Sequence, residues 1–180
     1  MPTLRSRFGI AAYNGKFYAI GGYNNSGYLK TVEAYNSASN SWETMANLNT
    51  ARSDFGVAVV NNRIYVIGGY GASNIEEYDP VDNKWVTLPN TYNINYNFGA
   101  TGLDGLIYII GGGNTPLNKV QTYNPLTNTW TRMSNMPTAR YGLGVVTFNG
   151  KIYAIGGYNN GYLNTVEEYD PGTDTWITKT

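Results

Sequence analysis

The chain has no cysteine and no histidine, and only 13% of its 180 residues are charged. Without cysteine no disulfide holds the fold and no thiol can act as a nucleophile. With both residues missing, the usual nitrogen–sulfur zinc site is excluded, and so are the Ser–His and Cys–His nucleophile pairs. Lysine plus arginine number 12 and aspartate plus glutamate 12, so the formal net charge is zero. Nucleic acids and anionic membranes call for a basic excess, and neither is expected as a partner. No run of 18 apolar residues is present to cross a bilayer as a helix. The opening residues MPTLRSR are not followed by the apolar stretch of a secretory signal. Helical periodicity is absent throughout, and no cofactor is expected.

What the chain has in quantity is tyrosine, asparagine and glycine, arranged in a fourfold repeat. A hydrophobic run ends in a glycine pair four times, as FYAIGG, IYVIGG, IYIIGG and IYAIGG. The pairs are Gly21 and Gly22, Gly68 and Gly69, Gly111 and Gly112, and Gly156 and Gly157. Each is followed by a tyrosine (Tyr35, Tyr78, Tyr123, Tyr169) and, seven residues later, by a tryptophan (Trp42, Trp85, Trp130, Trp176). The period is 43 to 47 residues, and all four tryptophans occupy this one position. A fixed period of this size marks a propeller or an array of repeats.

One repeat reads as four short strands. In the second copy, FGVAVV (Phe55–Val60) is apolar and β-branched, as a buried strand is. Asn61 and Asn62 then form a two-residue turn, where the other copies carry Asn14-Gly15, Asp104-Gly105 and Asn149-Gly150. These residue types tolerate the positive φ that a tight hairpin needs. IYVIGG is the second strand, NIEEY (Asn74–Tyr78) the third, and KWVTL the fourth. Four antiparallel strands per repeat make a propeller blade. Blade boundaries are expected near 1–47, 48–90, 91–135 and 136–180. The glycine pair is expected to clear space for a large neighbour such as the tryptophan. A phosphate cradle is excluded there because no helix follows to supply an N-terminal dipole. The four tryptophans are expected to be structural and buried between blades.

These marks resemble the kelch repeat over essentially the whole chain: a glycine pair closing the second strand, then the spaced tyrosine and tryptophan. Tryptophan-aspartate repeats are excluded, because no tryptophan here precedes an aspartate. The resemblance implies an all-β protein, a β-propeller of four-stranded antiparallel kelch blades with four blades in the chain. Kelch propellers more often have five to eight blades. MPTLRSRFGI aligns with Met136 to Val145, so every blade is complete in itself and no strand is left to be shared. That is expected of a fragment or an engineered piece of a larger propeller. Two such chains are expected to associate as a homodimer with eight blades.

Strand parity puts the link between strands two and three, and the link to the next blade, at one end of each blade. The resemblance implies ligand binding at that end. The candidate residues after the glycines are Tyr23, Asn24 and Asn25, Tyr70, Gly113 and Asn114, and Tyr158, Asn159 and Asn160. Those before the innermost strands are Arg5, Arg7, Arg52, Asn95 and Arg140. Arginine forks suit carboxylates, so a protein or acidic peptide ligand is the leading expectation, with bracing of the loops as the alternative role for these arginines. The tyrosines and amides suit a glycan equally well, or serve as packing and turn residues. Glu33, Glu76, Glu77, Glu167 and Glu168 are expected to face solvent from the third strands, and Asp79, Asp82, Asp170 and Asp174 to sit in turns at the other end. No pair of carboxylates is placed for acid–base work, so the protein is expected not to be an enzyme. The copper radical oxidases with this repeat need histidine and a Tyr–Cys cofactor and are excluded. A sialic-acid mutarotase, built on arginines and carboxylates, is the remaining enzymatic alternative.

Overall fold

Every described element is a β-strand, and each repeat folds into one four-stranded antiparallel sheet with its strands in sequence order. The computed structural model describes residues 1–88 and 96–179. Blade one is β1 (Gly9–Tyr13), β2 (Lys16–Ile20), β5 (Val32–Asn36) and β6 (Ser41–Met45). Two short strands, β3 (Tyr23–Asn24) and β4 (Gly27–Tyr28), pair within its β2–β5 link. Blade two is β7 (Gly56–Val60), β8 (Arg63–Ile67), β9 (Ile75–Asp79) and β10 (Lys84–Leu88). Blade three is β11 (Gly99–Leu103), β12 (Leu106–Ile110), β13 (Val120–Asn124) and β14 (Thr129–Met133). Blade four is β15 (Gly144–Phe148), β16 (Lys151–Ile155), β17 (Val166–Asp170) and β18 (Thr175–Lys179). This is the β-propeller class that the repeat implied.

The hairpin turns take the form their residues allow. Asn61 and Asn62 have φ of 48° and 60°, and Asn14 and Gly15 have 46° and 73°. Positive φ at both central residues matches the right-handed twist of the strands they join.

Contacts divide the chain into two compact units, Met1–Ile94 and Asn95–Thr180. In the first, blades one and two pack face to face around Tyr18, Ile20, Val32, Ala34, Ile64, Val66, Tyr78 and Trp85. In the second, blades three and four do the same around Tyr108, Ile110, Val120, Ile152, Ala154 and Tyr169. Each fully buried aliphatic side chain contributes about 1.5–3 kcal/mol relative to exposure.

The seven-residue spacing of tyrosine and tryptophan follows from register. Tyr78 lies opposite Trp85 across the β9–β10 hairpin, with ring centroids 4.8 Å apart. The Tyr78 hydroxyl donates to Asn83 Oδ1 at 2.7 Å, and Asn83 is the left-handed residue of the intervening turn. The other blades repeat this with Tyr35 and Asn40, Tyr123 and Asn128, and Tyr169 and Asp174.

Three expectations are corrected. Only Trp85 is fully buried, at 5% exposure, while Trp42, Trp130 and Trp176 are half-buried. The tryptophan is not what fills the space above the glycine pair either. A Cβ on Gly22 would stand 2.7 Å from the Ser6 carbonyl oxygen and 2.8 Å from Phe8 Cβ, and one on Gly69 2.6 Å from the Ser53 oxygen and 2.7 Å from Phe55 Cβ. With φ of 103° and 104°, these glycines turn the chain against the segment leading into the same blade. Finally, Glu33, Glu76 and Glu167 are buried. Alternation separates core from solvent only when one sheet face is wet, whereas β9 buries Ile75, Glu76 and Tyr78 alike.

Candidate functional site: the loop end of the blades

The buried glutamates meet the arginines. Arg52 Nη2 lies 2.5 Å from Glu76 Oε1, Arg140 Nη2 lies 2.7 Å from Glu167 Oε2, and Arg5 Nη2 lies 2.9 Å from Glu33 Oε2. All three arginine side chains have 0% exposure. The second guanidinium nitrogen of each spans the mouth of its own loop. Arg5 Nη1 donates to the Gly21 and Thr31 carbonyls at 2.8 and 2.7 Å. Arg52 Nη1 donates to Gly68 and Asn74 at 3.0 Å each, and Arg140 Nη1 to Gly156 and Thr165 at 2.9 and 3.1 Å. Each arginine therefore ties the first residue of the strand-two-to-three loop to its last.

The glutamates hold the other side of the same end. Glu76 accepts the Asn49 and Thr50 backbone N–H groups at 2.6 and 3.0 Å. Glu33 accepts from the Thr3 N–H and hydroxyl at 3.1 and 2.7 Å, and Glu167 from the Thr138 hydroxyl at 2.6 Å. Burial pulls the Arg5 and Arg52 guanidinia below their ordinary range, opposed by the charge and hydrogen bond of the glutamate. A paired, hydrogen-bonded charge can stay inside; an unpaired one is very costly there.

These contacts give the arginines of the sequence pattern a bracing geometry. Arg7 differs: its guanidinium is largely exposed and 3.8 Å from Asp54. Asn95 lies outside the described residues. The glutamate partners were legible in the sequence, though not used. Arg5, Arg52 and Arg140 recur with Glu33, Glu76 and Glu167, and the third copy replaces both members, with Asn95 and Gln121 at those places.

What the loop end presents is aromatic and amide. In the first unit, Tyr23 and Tyr28 stack edge to face at 5.4 Å, and both are exposed. Tyr23 with Leu4, Arg5, Ser6, Asn24, Asn25 and Ser26 lines an open concavity of about 390 Å³. Tyr70 is half-buried and pairs through its backbone with Ser53. In the second unit, Tyr141, Tyr158 and Tyr162 form a run with centroids 5.4 and 5.5 Å apart, and Tyr162 is 95% exposed. Asn159 is half-buried, Asn160 is exposed, and Asn114 is exposed and bonded to the Tyr96 hydroxyl. Tyr28, Tyr141 and Tyr162 were not among the residues expected here. Tyr28 and Tyr162 recur at one repeat position, in GYLKTVE and GYLNTVE, and Tyr141 directly follows Arg140, so the signal was in the sequence though not used.

Among the described residues no group of three or more acidic side chains could hold a metal ion. The largest raised pKa shifts fall on Tyr78 and Tyr169, pushed up first by burial, and both are core residues rather than loop residues.

Four-stranded blades closed by glycine pairs, with arginine-braced loops at one end of blades one, two and four, define a kelch-type propeller. The kelch motif matches residues 4–49, 51–91, 95–137 and 139–179, and the chain belongs to that family. It is similar to Kelch-like protein 41a of Danio rerio, 44% identical over 46 residues, which is 26% of this chain and 8% of that protein. It is also similar to the Influenza virus NS1A-binding protein of Homo sapiens, 44% identical over 50 residues, 28% of this chain and 8% of that protein. The match to each of these relatives is thus about one repeat long.

Proposed function

We propose that this chain is a non-enzymatic binding scaffold whose loop end takes a protein or peptide ligand. The observation that supports it is exposed aromatic surface on a rigid frame: Tyr23, Tyr28 and Tyr162, with half-buried Tyr158 stacked against Tyr162, stand on loops tied at both ends by buried arginines. Exposed tyrosines offer large contact area at low entropic cost, and pre-tied loops lose little freedom on binding. Arg5, Arg52 and Arg140 act through the loops they hold, and Arg7 is the cation available to a carboxylate. The human relative's name, Influenza virus NS1A-binding protein, describes a protein that binds another protein. A peptide selected from a random library against the immobilised chain tests the reading. Its affinity should fall at least tenfold in Tyr158→Ala/Tyr162→Ala or Tyr23→Ala/Tyr28→Ala, and stay unchanged in Val81→Ala, in an exposed turn at the other end. Retention on a glycan array without any peptide selected would favour a carbohydrate ligand instead.

Two copies of the chain associate in this reading, with eight blades between them. Ile10 and Phe17 on blade one and Val146, Phe148, Ile155 and Ile177 on blade four are exposed apolar residues on sheet faces. Surfaces of this kind drive association. Light scattering at micromolar concentration should report twice the 19.8 kDa chain mass.

A further inference from the structure

Among the described residues the same blade junction is built twice, with the same atoms. Between blades one and two, Gly22 N–H donates to Arg52 O at 2.9 Å and Arg52 N–H to Leu29 O at 3.1 Å. Leu48 N–H donates to Lys30 O at 2.8 Å, and Asp54 N–H to Arg7 O at 3.1 Å. Between blades three and four the pairs are Gly112 with Arg140 at 2.9 Å, Arg140 with Leu117 at 2.9 Å, Met136 with Asn118 at 2.9 Å and Gly142 with Asn97 at 2.8 Å. In each case the indole of the following blade closes the junction. Trp85 Nε1 donates to Ala46 O at 2.9 Å, and Trp176 Nε1 to Ser134 O at 3.0 Å.

Blade four carries the leading half of one more such junction, with one donor at the glycine and acceptors in the loop carbonyls. Gly157 stands where Gly22 and Gly112 do, and Leu163 and Asn164 where Leu29 and Lys30 do. Leu163 N–H bonds Gly157 O at 2.9 Å just as Leu29 N–H bonds Gly22 O at 2.8 Å, so the loop is already shaped. Blade one carries the following half: Met1, Arg5 and Arg7 stand where Leu48, Arg52 and Asp54 donate their N–H groups.

The apolar faces tell the same story. Ile20 and Ile110 are 0% exposed against the next blade, and their equivalent Ile155 is 44% exposed. Ile64 and Ile152 are 0% exposed against the preceding blade, and their equivalent Phe17 is 48% exposed. The innermost contact is the sharpest. A Cβ on Gly9 would run into Val57 and one on Gly99 into Val145, but above Gly144 the nearest atom is the Ile155 carbonyl oxygen at 3.8 Å. Ile10 is the residue of blade one that stands where Val57 and Val145 do.

We infer that the open face of blade four receives blade one of a second copy in the register of the two junctions described above. Gly157 then meets the second copy's Arg5 backbone, its Ile10 covers Gly144, and Tyr153 meets its Tyr35 edge to face, as Tyr18 meets Tyr78 at 5.9 Å and Tyr108 meets Tyr169 at 6.1 Å. Burial of Val146, Phe148, Ile155, Ile10 and Phe17 supplies the driving force. This rests on the two-copy reading above and adds the surface and the register.

The chain has no cysteine, so a disulfide can be placed without competition. Gly144→Cys and Ile10→Cys are made as separate variants and mixed under oxidising conditions. A disulfide needs Cβ atoms roughly 3.5–4.5 Å apart. The expected result is a reducible product at twice the chain mass in the mixture and in neither variant alone. No product, with the native chain still at twice its mass, would overturn the register and leave the two-copy reading standing. A native chain at single mass would overturn both. In a chain carrying both Ile10→Cys and Gly144→Cys, a disulfide formed within that one chain would also overturn the inference, because the chain's own blade one would then be the occupant. Phe17→Glu and Ile155→Glu, at positions exposed in the single chain, should each reduce the native mass by half with an unchanged circular dichroism spectrum.

Discussion

Arg52 and Glu76 form a fully buried ion pair whose partners have separate second tasks: the arginine closes its own loop, and the glutamate caps the segment arriving from the preceding blade. One charge pair thereby fixes two backbone segments at the loop end. Such a pair rarely adds much net stability over an apolar substitute, but half of one is strongly unfavourable.

Arg52→Met is therefore expected to destabilise the chain by about 3–5 kcal/mol, since it strands the Glu76 carboxylate. Arg52→Met with Glu76→Leu should recover a substantial part of that loss. Urea titration of the four corners of the cycle checks it; strictly additive single effects would show that the two side chains do not act as a pair.

Tryptophan at one repeat position is expected to matter unequally. Trp85 is buried and bonded to Ala46 O. Trp85→Ala should cost about 3–5 kcal/mol, as large core truncations do. Trp42 is half-buried on the open face of blade one. Trp42→Ala should cost clearly less in the single chain, and thermal melts of the two variants side by side decide it.

Gly69→Ala is expected to be among the more damaging glycine changes. Its φ of 104° is unfavourable for any L side chain, and the new Cβ would sit 2.6 Å from the Ser53 oxygen. Gly144→Ala, with open space and no positive φ, should leave the melting temperature of the dissociated chain within a degree or two. Equal effects at the two sites would contradict the packing described for the glycine pair.

Alkaline pH should unfold the protein through its core tyrosines. Burial above all raises the pKa of both Tyr78 and Tyr169 above the ordinary 10.0. The folded state then holds these protons more tightly than the unfolded chain. Their contribution is complete below about pH 10 and is lost as pH rises through the folded-state values. The melting temperature should fall above about pH 10, and Tyr78→Phe should make that fall shallower. A slope unchanged by the substitution would remove Tyr78 from the account.

The repeat, the strands, the turns and the kelch family were all legible in the chain, because each rests on a local rule. Positive φ at Asn61 and Asn62 follows from residue type, and the facing of Tyr78 and Trp85 follows from hairpin register. Burial was less legible. The alternation of NIEEY says that Glu76 and Ile75 point opposite ways, and in a free hairpin one of them would be wet. In a stacked blade both faces can be covered, so the same pattern buries a carboxylate.

The amino-acid sequence by itself determined the fold class, the number of blades and the chemistry that is absent, since period, residue type and composition are properties of the chain alone. Only the tertiary structure decided which groups are inside. Whether Arg52 meets a ligand or Glu76, whether the space over Gly69 holds a tryptophan or a carbonyl, and whether Ile155 is covered as Ile20 is depend on the segments that neighbouring blades bring together. Those segments are tens of residues apart, beyond the reach of any local rule.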